Sequence, residues 1–409
     1  MKILLINNFH YRKGGSEAVY FNMAQMFAQH GHEVLFFSCT DERNEPSEQS
    51  GYFVSPNSAL PKIEGAIRYI YNREARHRLE RLIAKERPDI AHLHLFWGGI
   101  SPSIFGVLRK YRIPVIHTAH DYRMVCPAYT FRTPDGRICE QCRGKHFYRC
   151  ALNRCSKGSV AQSLLMSAEM YLRNAFFNPV RNIDGFVFVS NFAYNKHKEY
   201  MPALANAAAI TLYNTIPPLD AEFISRRRGR YFLFFGRLSH EKGVNTLIEA
   251  FARKADAVLK IVGTGPEENA LKSKVAAAQE SNIEFLGYRN GAALKEIIRD
   301  AAFVVVPSEW YENNPMTIVE AYSAGIPVIG ARIGGIPEII DEGRTGFMFA
   351  SGDADDLGRC IDRATALDDA EYAAMSRNAQ SFADANFNEE RNYTRIIAFY
   401  KEIIDNYGK

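Results

Sequence analysis

Two glutamates, Glu312 and Glu320, stand eight positions apart in the stretch SEWYENNPMTIVEAYSAGIPVIG, residues 308–330. Between them Pro315 suits the first position of a helix, where no N–H partner is needed. Asn314 then reads as the helix cap. The amides of Met316 and Thr317 would open at the helix start and form an anion site suited to a diphosphate. Glu312 lies in the loop beside that anion. Glu320 lies about a turn and a half inside the helix, where a carboxylate repels phosphate but accepts hydrogen bonds from hydroxyls. The stretch reads as a site for a ligand carrying both phosphate and sugar hydroxyls. Two solvent-facing glutamates favoured by the helix dipole are the plainer reading, which fits Glu312 alone better than the whole constellation.

A second motif, FFGRLSHEKGVNTLIEAF, covers 234–251. Gly236 ends a strand, and Arg237 and Lys242 flank a short loop before an amphipathic helix. The fork of an arginine and the point charge of a lysine would clamp a diphosphate from its other side. Near the start, NNFHYRKGGSEAV runs from a strand through Gly14 and Gly15 into a helix. Glycines there let a ligand approach the backbone, although the spacing is neither a dinucleotide fingerprint nor a P-loop. His120 ends the strand pattern in HTAHDYR and is expected to face the ligand.

These residues sit at the ends of short apolar runs. Six runs fall at 2–7, 33–38, 89–95, 114–120, 185–190 and 209–214. Six more fall at 231–236, 257–263, 283–288, 302–308, 327–332 and 346–350. Continuous apolar strands separated by helical patterns predict parallel sheets covered on both faces, here in two doubly wound α/β domains. The expected division is 1–217, 218–388 and a terminal helix over 389–409 that packs on either domain. A charged, Pro-containing connector over 215–230 lies between the two strand series. Ligands in such sheets sit beyond the carboxyl ends of the strands, so two facing sheets would make a cleft.

The 409 residues are 47% hydrophobic and 23% charged, ordinary for a globular protein. No run approaches the ~18 apolar residues of a spanning helix, and the start has no signal-peptide pattern. A cytoplasmic protein is expected. The net charge of +4 hides an asymmetry: residues 1–217 carry 27 Lys+Arg against 17 Asp+Glu, and 218–409 carry 23 against 29. The stretch 109–157 is the most basic, with 11 cations and 3 acids. That charge fits a phosphate-bearing substrate or the negative inner membrane surface. No nucleic-acid motif accompanies it. The segment 160–181 reads as a core-packing helix, with an interfacial membrane helix as the alternative.

Cys126, Cys139, Cys142, Cys150 and Cys155 fall within 30 residues. The Cys-x2-Cys and Cys-x4-Cys spacings allow a structural zinc held by Cys139, Cys142, Cys150 and Cys155, with Cys126 and His146 as spare ligands. Free thiols in a loop are the alternative. Such a metal would order an insertion over 126–155 and take no part in chemistry.

FFGRLSHEKGVNTLIEAF, VGTGPE (262–267) and PSEWYENNPMTIVEAYSAGIPVI together resemble the signature series of family 4 glycosyltransferases of GT-B fold. The resemblance covers nearly the whole chain and is strongest over 230–350. It implies two Rossmann-like domains facing across a cleft, the first binding the acceptor and the second the nucleotide sugar. It implies a retaining transfer from a UDP or GDP sugar to a glycan or lipid-linked glycan, without a catalytic metal. The setting it implies is cell-surface polysaccharide synthesis, with contact at the inner membrane face. By resemblance Arg237 and Lys242 hold the diphosphate, Glu320 the ribose, and Glu312 the donor sugar near its reacting carbon. Asn313, Asn314, Pro315, Met316 and Thr317 form the loop facing sugar and phosphate. Gly15, Gly236 and Gly263 let the donor approach, His120 lies near the sugar, and Tyr288 and Arg289 bracket the base. Many relatives carry Gly-Phe-Gly after the first glutamate where this chain has Asn313-Asn314-Pro315, which bears on donor identity. An epimerase-like nucleotide-sugar enzyme and a non-catalytic sugar-nucleotide binder are the competing readings.

Overall fold

The structure is a computed structural model and describes every residue except Arg226, Gln279 and Lys409. Arg226 belongs to the expected connector and lies outside the described residues. The chain forms two compact units, Met1–Leu212 with Glu390–Lys409, and Tyr213–Glu389. Tyr213, Ile216 and Leu219, which the sequence places at or beside the connector, pack on the second unit's core.

Each apolar run becomes one strand. The first unit holds β1 (Lys2–Ile6), β2 (Glu33–Phe37), β3 (Ile90–Leu93), β4 (Val115–Ala119), β5 (Gly185–Phe188) and β6 (Ala208–Thr211), in the order β2-β1-β3-β4-β5-β6. The second holds β7 (Phe232–Phe235), β8 (Leu259–Val262), β9 (Ile283–Gly287), β10 (Phe303–Val306), β11 (Val328–Ala331) and β12 (Gly346–Phe349), in the order β12-β11-β10-β7-β8-β9. Every pairing is parallel. The period-2 alternation of strands explains why unbroken apolar runs are required. Phe232, Phe234, Phe303 and Val305 enter the core on one face of the second sheet. Leu233, Phe235, Val304 and Val306 enter the core on the other.

In the second sheet the chain steps from β7 through β8 to β9, then returns to lay β10 on the other side of β7. Connections therefore diverge between β7 and β10, which opens a crevice at their carboxyl ends. The first sheet reverses in the same way between β1 and β3.

The terminal helix Glu389–Asn406 completes the first unit. Ile396, Phe399, Tyr400 and Ile403 pack with Ile3, Leu5, Ile116 and Val187. Gly185 makes room for it, since a Cβ there would lie 2.8 Å from the Phe399 ring. The Tyr400 hydroxyl bonds His92 Nδ1, and His92 Nε2 lies 2.6 Å from Thr118 Oγ1, all in the interior. Tyr400→Phe leaves a buried imidazole nitrogen without a partner. Urea unfolding should report a loss of about 1–3 kcal/mol.

The helix Val160–Phe176 departs from the core-packing expectation. Its buried side carries Ser163, Ser167, Glu169, Met170 and Arg173, while Val160, Leu164, Tyr171, Leu172 and Phe176 are exposed. Polar bonds hold it in place. Ser167 Oγ donates to the Phe147 and Ser163 carbonyls, and Arg173 donates to the Arg123 carbonyl and to Glu169.

The thiols of Cys126, Cys139, Cys142, Cys150 and Cys155 lie close enough to disfavour one another's ionisation. All seven cysteines are free thiols, and among the described residues no three His, Cys, Asp or Glu side chains are grouped to hold a metal. The sulfurs are engaged by the loop itself. Cys150 and Cys155 share a hydrogen bond, and backbone amides of Phe131 and Ala128 donate to Cys126.

Candidate active site

The crevice at the carboxyl ends of β7 and β10 contains a pocket lined by Gly236, Lys242, Ser308, Glu312, Pro315 and Thr317, among others. Lys242 reaches it because the short turn His240–Lys242 ends at Gly243, which has φ +69° and starts the helix Val244–Phe251. A Cβ on Gly243 would lie 1.9 Å from the Pro307 carbonyl oxygen. Glycine is therefore needed both for the left-handed turn and for the close approach to the chain leaving β10.

Lys242 Nζ donates to Glu312 Oε1 at 2.6 Å, and Ser308 Oγ donates to the same oxygen at 2.8 Å. Glu312 is 6% exposed. Burial opposes its charge, but the Lys242 ammonium and the Ser308 hydroxyl outweigh burial and hold the carboxyl below the usual range. Arg237 follows Gly236, is exposed, and forms no ion pair among the described residues. Lys242 and Glu312 cancel, so net positive charge beside the pocket falls to Arg237, which follows the lining residue Gly236 but does not itself line the pocket.

The helix after β10 spans Met316–Ser323, with Pro315 rather than Asn314 as its cap residue. The expected start is thus one residue early. Asn314 is occupied elsewhere: its Oδ1 accepts the Asn214 amide at 2.7 Å, and Asn214 Nδ2 donates to the Asn314 carbonyl at 2.8 Å. This pair fixes the loop, and Asn313 is buried beside it. The amides of Met316 and Thr317 find no acceptor among the described residues, as the first turn of a helix dictates. Thr317 Oγ1 donates to the Phe235 carbonyl at 3.4 Å and ties that turn to the end of β7. Cation, carboxylate and open amides are thus brought together, as the sequence implied.

Glu320 is half-buried, and desolvation raises its carboxyl to about 7. The folded value lies above that of an unfolded chain. Glu320 therefore adds stability in acid, and that contribution is lost as pH rises from about 4.5 through about 7. In Glu320→Gln, melting temperature followed across that window should lose this part of its pH slope. The stability at pH 8 should rise by about 2 kcal/mol.

Gly263 ends β8 with φ +136° and stands against Gly236, where a Cβ would lie 1.9 Å from the Gly236 oxygen. Tyr288 and Arg289 follow edge strand β9 and are exposed, with Arg289 Nη1 donating to the Tyr288 carbonyl. They extend from the pocket's row of strand ends and do not line it.

Gly15 and His120 belong to the first unit. Gly15 opens the helix Gly15–Gln29 and is exposed. His120 follows β4, is half-buried, and its Nε2 lies 2.8 Å from His94 Nδ1. Burial pushes His120 down to about 4, so the imidazole is neutral at pH 7. Sequence reasoning missed what surrounds it. Burial raises Asp121 to about 6 and also raises Glu17, whose Oε1 has no partner. Arg123 is 7% exposed and lies 5.3 Å over the Tyr69 ring, and its Nε has no partner. The run HDYR carried that signal, four titratable groups at a strand end, of which only His120 was singled out.

Family models match both halves of the chain: residues 13–218 match "Glycosyltransferase Family 4" and residues 219–382 match "Glycosyl transferases group 1". An uncharacterized 42.6 kDa protein in the cps region of Klebsiella pneumoniae is 26% identical over 83% of this chain and 87% of its own length. A putative colanic acid biosynthesis glycosyltransferase of Escherichia coli is 29% identical, but the match spans only 38% of this chain and 40% of that protein. Among solved structures, sucrose-phosphate synthase from Thermosynechococcus elongatus superposes with TM-score 0.72 at 17% identity over 99% of both chains. Anabaena HepE in complex with UDP and glucose gives 0.67 at 20% identity, over 98% of this chain and all of that one. The chain belongs to glycosyltransferase family 4 and has the two-domain, Rossmann-like GT-B fold.

Proposed function

We propose that this protein transfers a sugar, with retention of configuration, from a UDP or GDP sugar to a glycan or lipid-linked glycan in cell-surface polysaccharide synthesis. The observation that carries the reading is the meeting of Lys242, Glu312 and the open amides of Met316 and Thr317 where β7 and β10 diverge. An anion with two phosphates matches a helix N-terminus that shares its pocket with Lys242, with Arg237 next in the chain to the pocket's Gly236. Glu320, near its ionisation point at neutral pH, suits ribose hydroxyls that donate to its carboxylate. Binding that favours the ionised form should tighten as pH rises through about 7, and Glu320→Gln should flatten that dependence in calorimetric titrations with UDP or GDP.

In the reaction the bond from the sugar C1 to the diphosphate oxygen breaks, and negative charge gathers on the departing phosphate. Arg237, Lys242 and the first-turn amides of the Met316–Ser323 helix stabilise that charge. The acceptor hydroxyl oxygen bonds C1 from the face the diphosphate leaves, and its proton passes to a departing phosphate oxygen. No protein base is required, and the Lys242–Glu312 pair positions the ammonium throughout. The family's colanic-acid and cps-region relatives support a polysaccharide setting, and the UDP complex of HepE supports a nucleotide-sugar donor.

Assays with UDP, GDP and ADP sugars and a lipid-diphosphate glycan acceptor test the proposal, with the anomeric proton coupling of the product read by NMR. Nucleotide release coupled to a product of unchanged anomeric configuration is expected. Inverted product would remove the retaining assignment. Epimerised donor without transfer would favour the epimerase-like reading, and binding without turnover an inert binder.

A further inference from the structure

We infer that the outward side of the helix Val160–Phe176 seats the first unit on an anionic lipid bilayer. A surface helix of a globular unit normally buries its apolar stripe and shows water its polar one. This helix does the reverse. Ser163, Ser167, Glu169 and Arg173 face the interior with Met170 as their one buried apolar neighbour on this helix, while Leu164 is 59% and Phe176 71% exposed. The inversion is built in, because Arg173 and Glu169 pair at 2.9 Å with each side chain 1% exposed, and the Arg173 guanidinium lies 4.1 Å over the Trp97 ring. Rolling the helix to hide its apolar side would break these contacts.

The apolar surface continues onto neighbouring elements. Ile63 is 79% and Ile67 62% exposed on the helix Lys62–Ile70, whose end meets the inverted helix where the Tyr71 and Phe177 rings lie 5.8 Å apart. Leu152 is 67% exposed on the short helix Tyr148–Leu152, and the Tyr148 amide donates to the Tyr171 hydroxyl. Among the described residues, every large hydrophobic side chain that is exposed lies between Ile63 and Phe176, save Val258 and Tyr288. The helices Lys62–Ile70 and Tyr148–Leu152 both pack against Val160–Phe176, and exposed apolar side chains on three contacting helices mark an interaction surface.

Charge decides what covers it. No Asp or Glu occurs between Glu140 and Glu169. In that interval Lys145, Arg149, Arg154 and Lys157 are exposed and make no ion pair among the described residues. Apolar side chains flanked by unpaired cations fit acyl chains under anionic headgroups, where each cation near the surface adds attraction. No described helix is long and apolar enough to cross a membrane, so this one lies in the interface.

The inference stands independently of the transfer chemistry, and flotation of the full chain with vesicles tests it. Wild-type protein should float with phosphatidylcholine vesicles containing phosphatidylglycerol and remain behind with phosphatidylcholine alone. Leu164→Glu combined with Phe176→Glu should cut binding at least ~10-fold. Glutamine at Lys145, Arg149, Arg154 and Lys157 together should do the same and abolish the salt dependence. Both variants should keep the wild-type melting temperature and UDP affinity, which separates this surface from the donor pocket. Equal flotation of the double-glutamate variant, or no wild-type binding to anionic vesicles, would overturn the inference. So would a wild-type dimer that the same two glutamates dissociate, since a second copy would then own the face.

Discussion

Arg237→Ala and Lys242→Ala should each lower sugar transfer by about 10²–10³-fold, the scale on which single donors to a developing anion act. The two variants should differ in everything else. Arg237 is exposed and without an ion pair among the described residues, so its loss should leave melting unchanged. Lys242 neutralises Glu312, and removing it strands a buried carboxylate. Breaking such a pair costs about 3 kcal/mol when the cation is partly exposed. The pH dependence follows from the depressed ionisation of Glu312. A carboxyl held below its unfolded value contributes stability above that value and loses it as pH falls through the folded one. Wild-type protein should show that loss in acid, and Lys242→Ala should lack it. Turnover with saturating donor, and melting curves between pH 3 and pH 8 (roughly the carboxylate range), would check both. Wild-type turnover in Arg237→Ala would remove it from the departing charge.

Gly243→Ala should badly damage the site through a single added carbon. The residue holds φ +69°, and its new methyl would press against the Pro307 carbonyl at 1.9 Å, where both contacts are backbone. The strained turn and the clash together should cost about 3–5 kcal/mol and displace Lys242. Gly31 supplies the control. It has φ +76° with nothing within 4 Å of the added carbon, so Gly31→Ala should cost only about 1 kcal/mol. Urea unfolding of the pair separates clash from conformation. If the two losses are equal, the close approach at Pro307 is not what fixes the Lys242 turn.

The sheets were legible because burial on both faces leaves unbroken runs such as FLFF and FVVV, and twelve such runs became twelve strands. Lys242, Glu312 and the Met316 amide were legible for a related reason. Each lies in the segment that directly follows β7 or β10, so chain order alone brings them to one edge. Three features were not. The cap shifted from Asn314 to Pro315 because Asn314 bonds Asn214, 100 positions earlier, and no local pattern encodes that partner. The segment 160–176 carries enough apolar residues to suggest a core helix, but periodicity states how far apart they fall and not which side turns inward. Arg173 and Glu169, spaced to pair along one turn, decide it. The cysteine spacings allow a zinc site, but spacing does not dictate which groups a sulfur meets, and the bonds of Cys126 to backbone amides and of Cys150 to Cys155 were not legible.

Crystals grown with UDP or GDP test the central claim most directly. The account places the diphosphate at the carboxyl ends of β7 and β10, within hydrogen-bond reach of the Met316 and Thr317 amides, with Arg237 and Lys242 beside it. A diphosphate bound anywhere else, with those amides and cations left facing water, would contradict it.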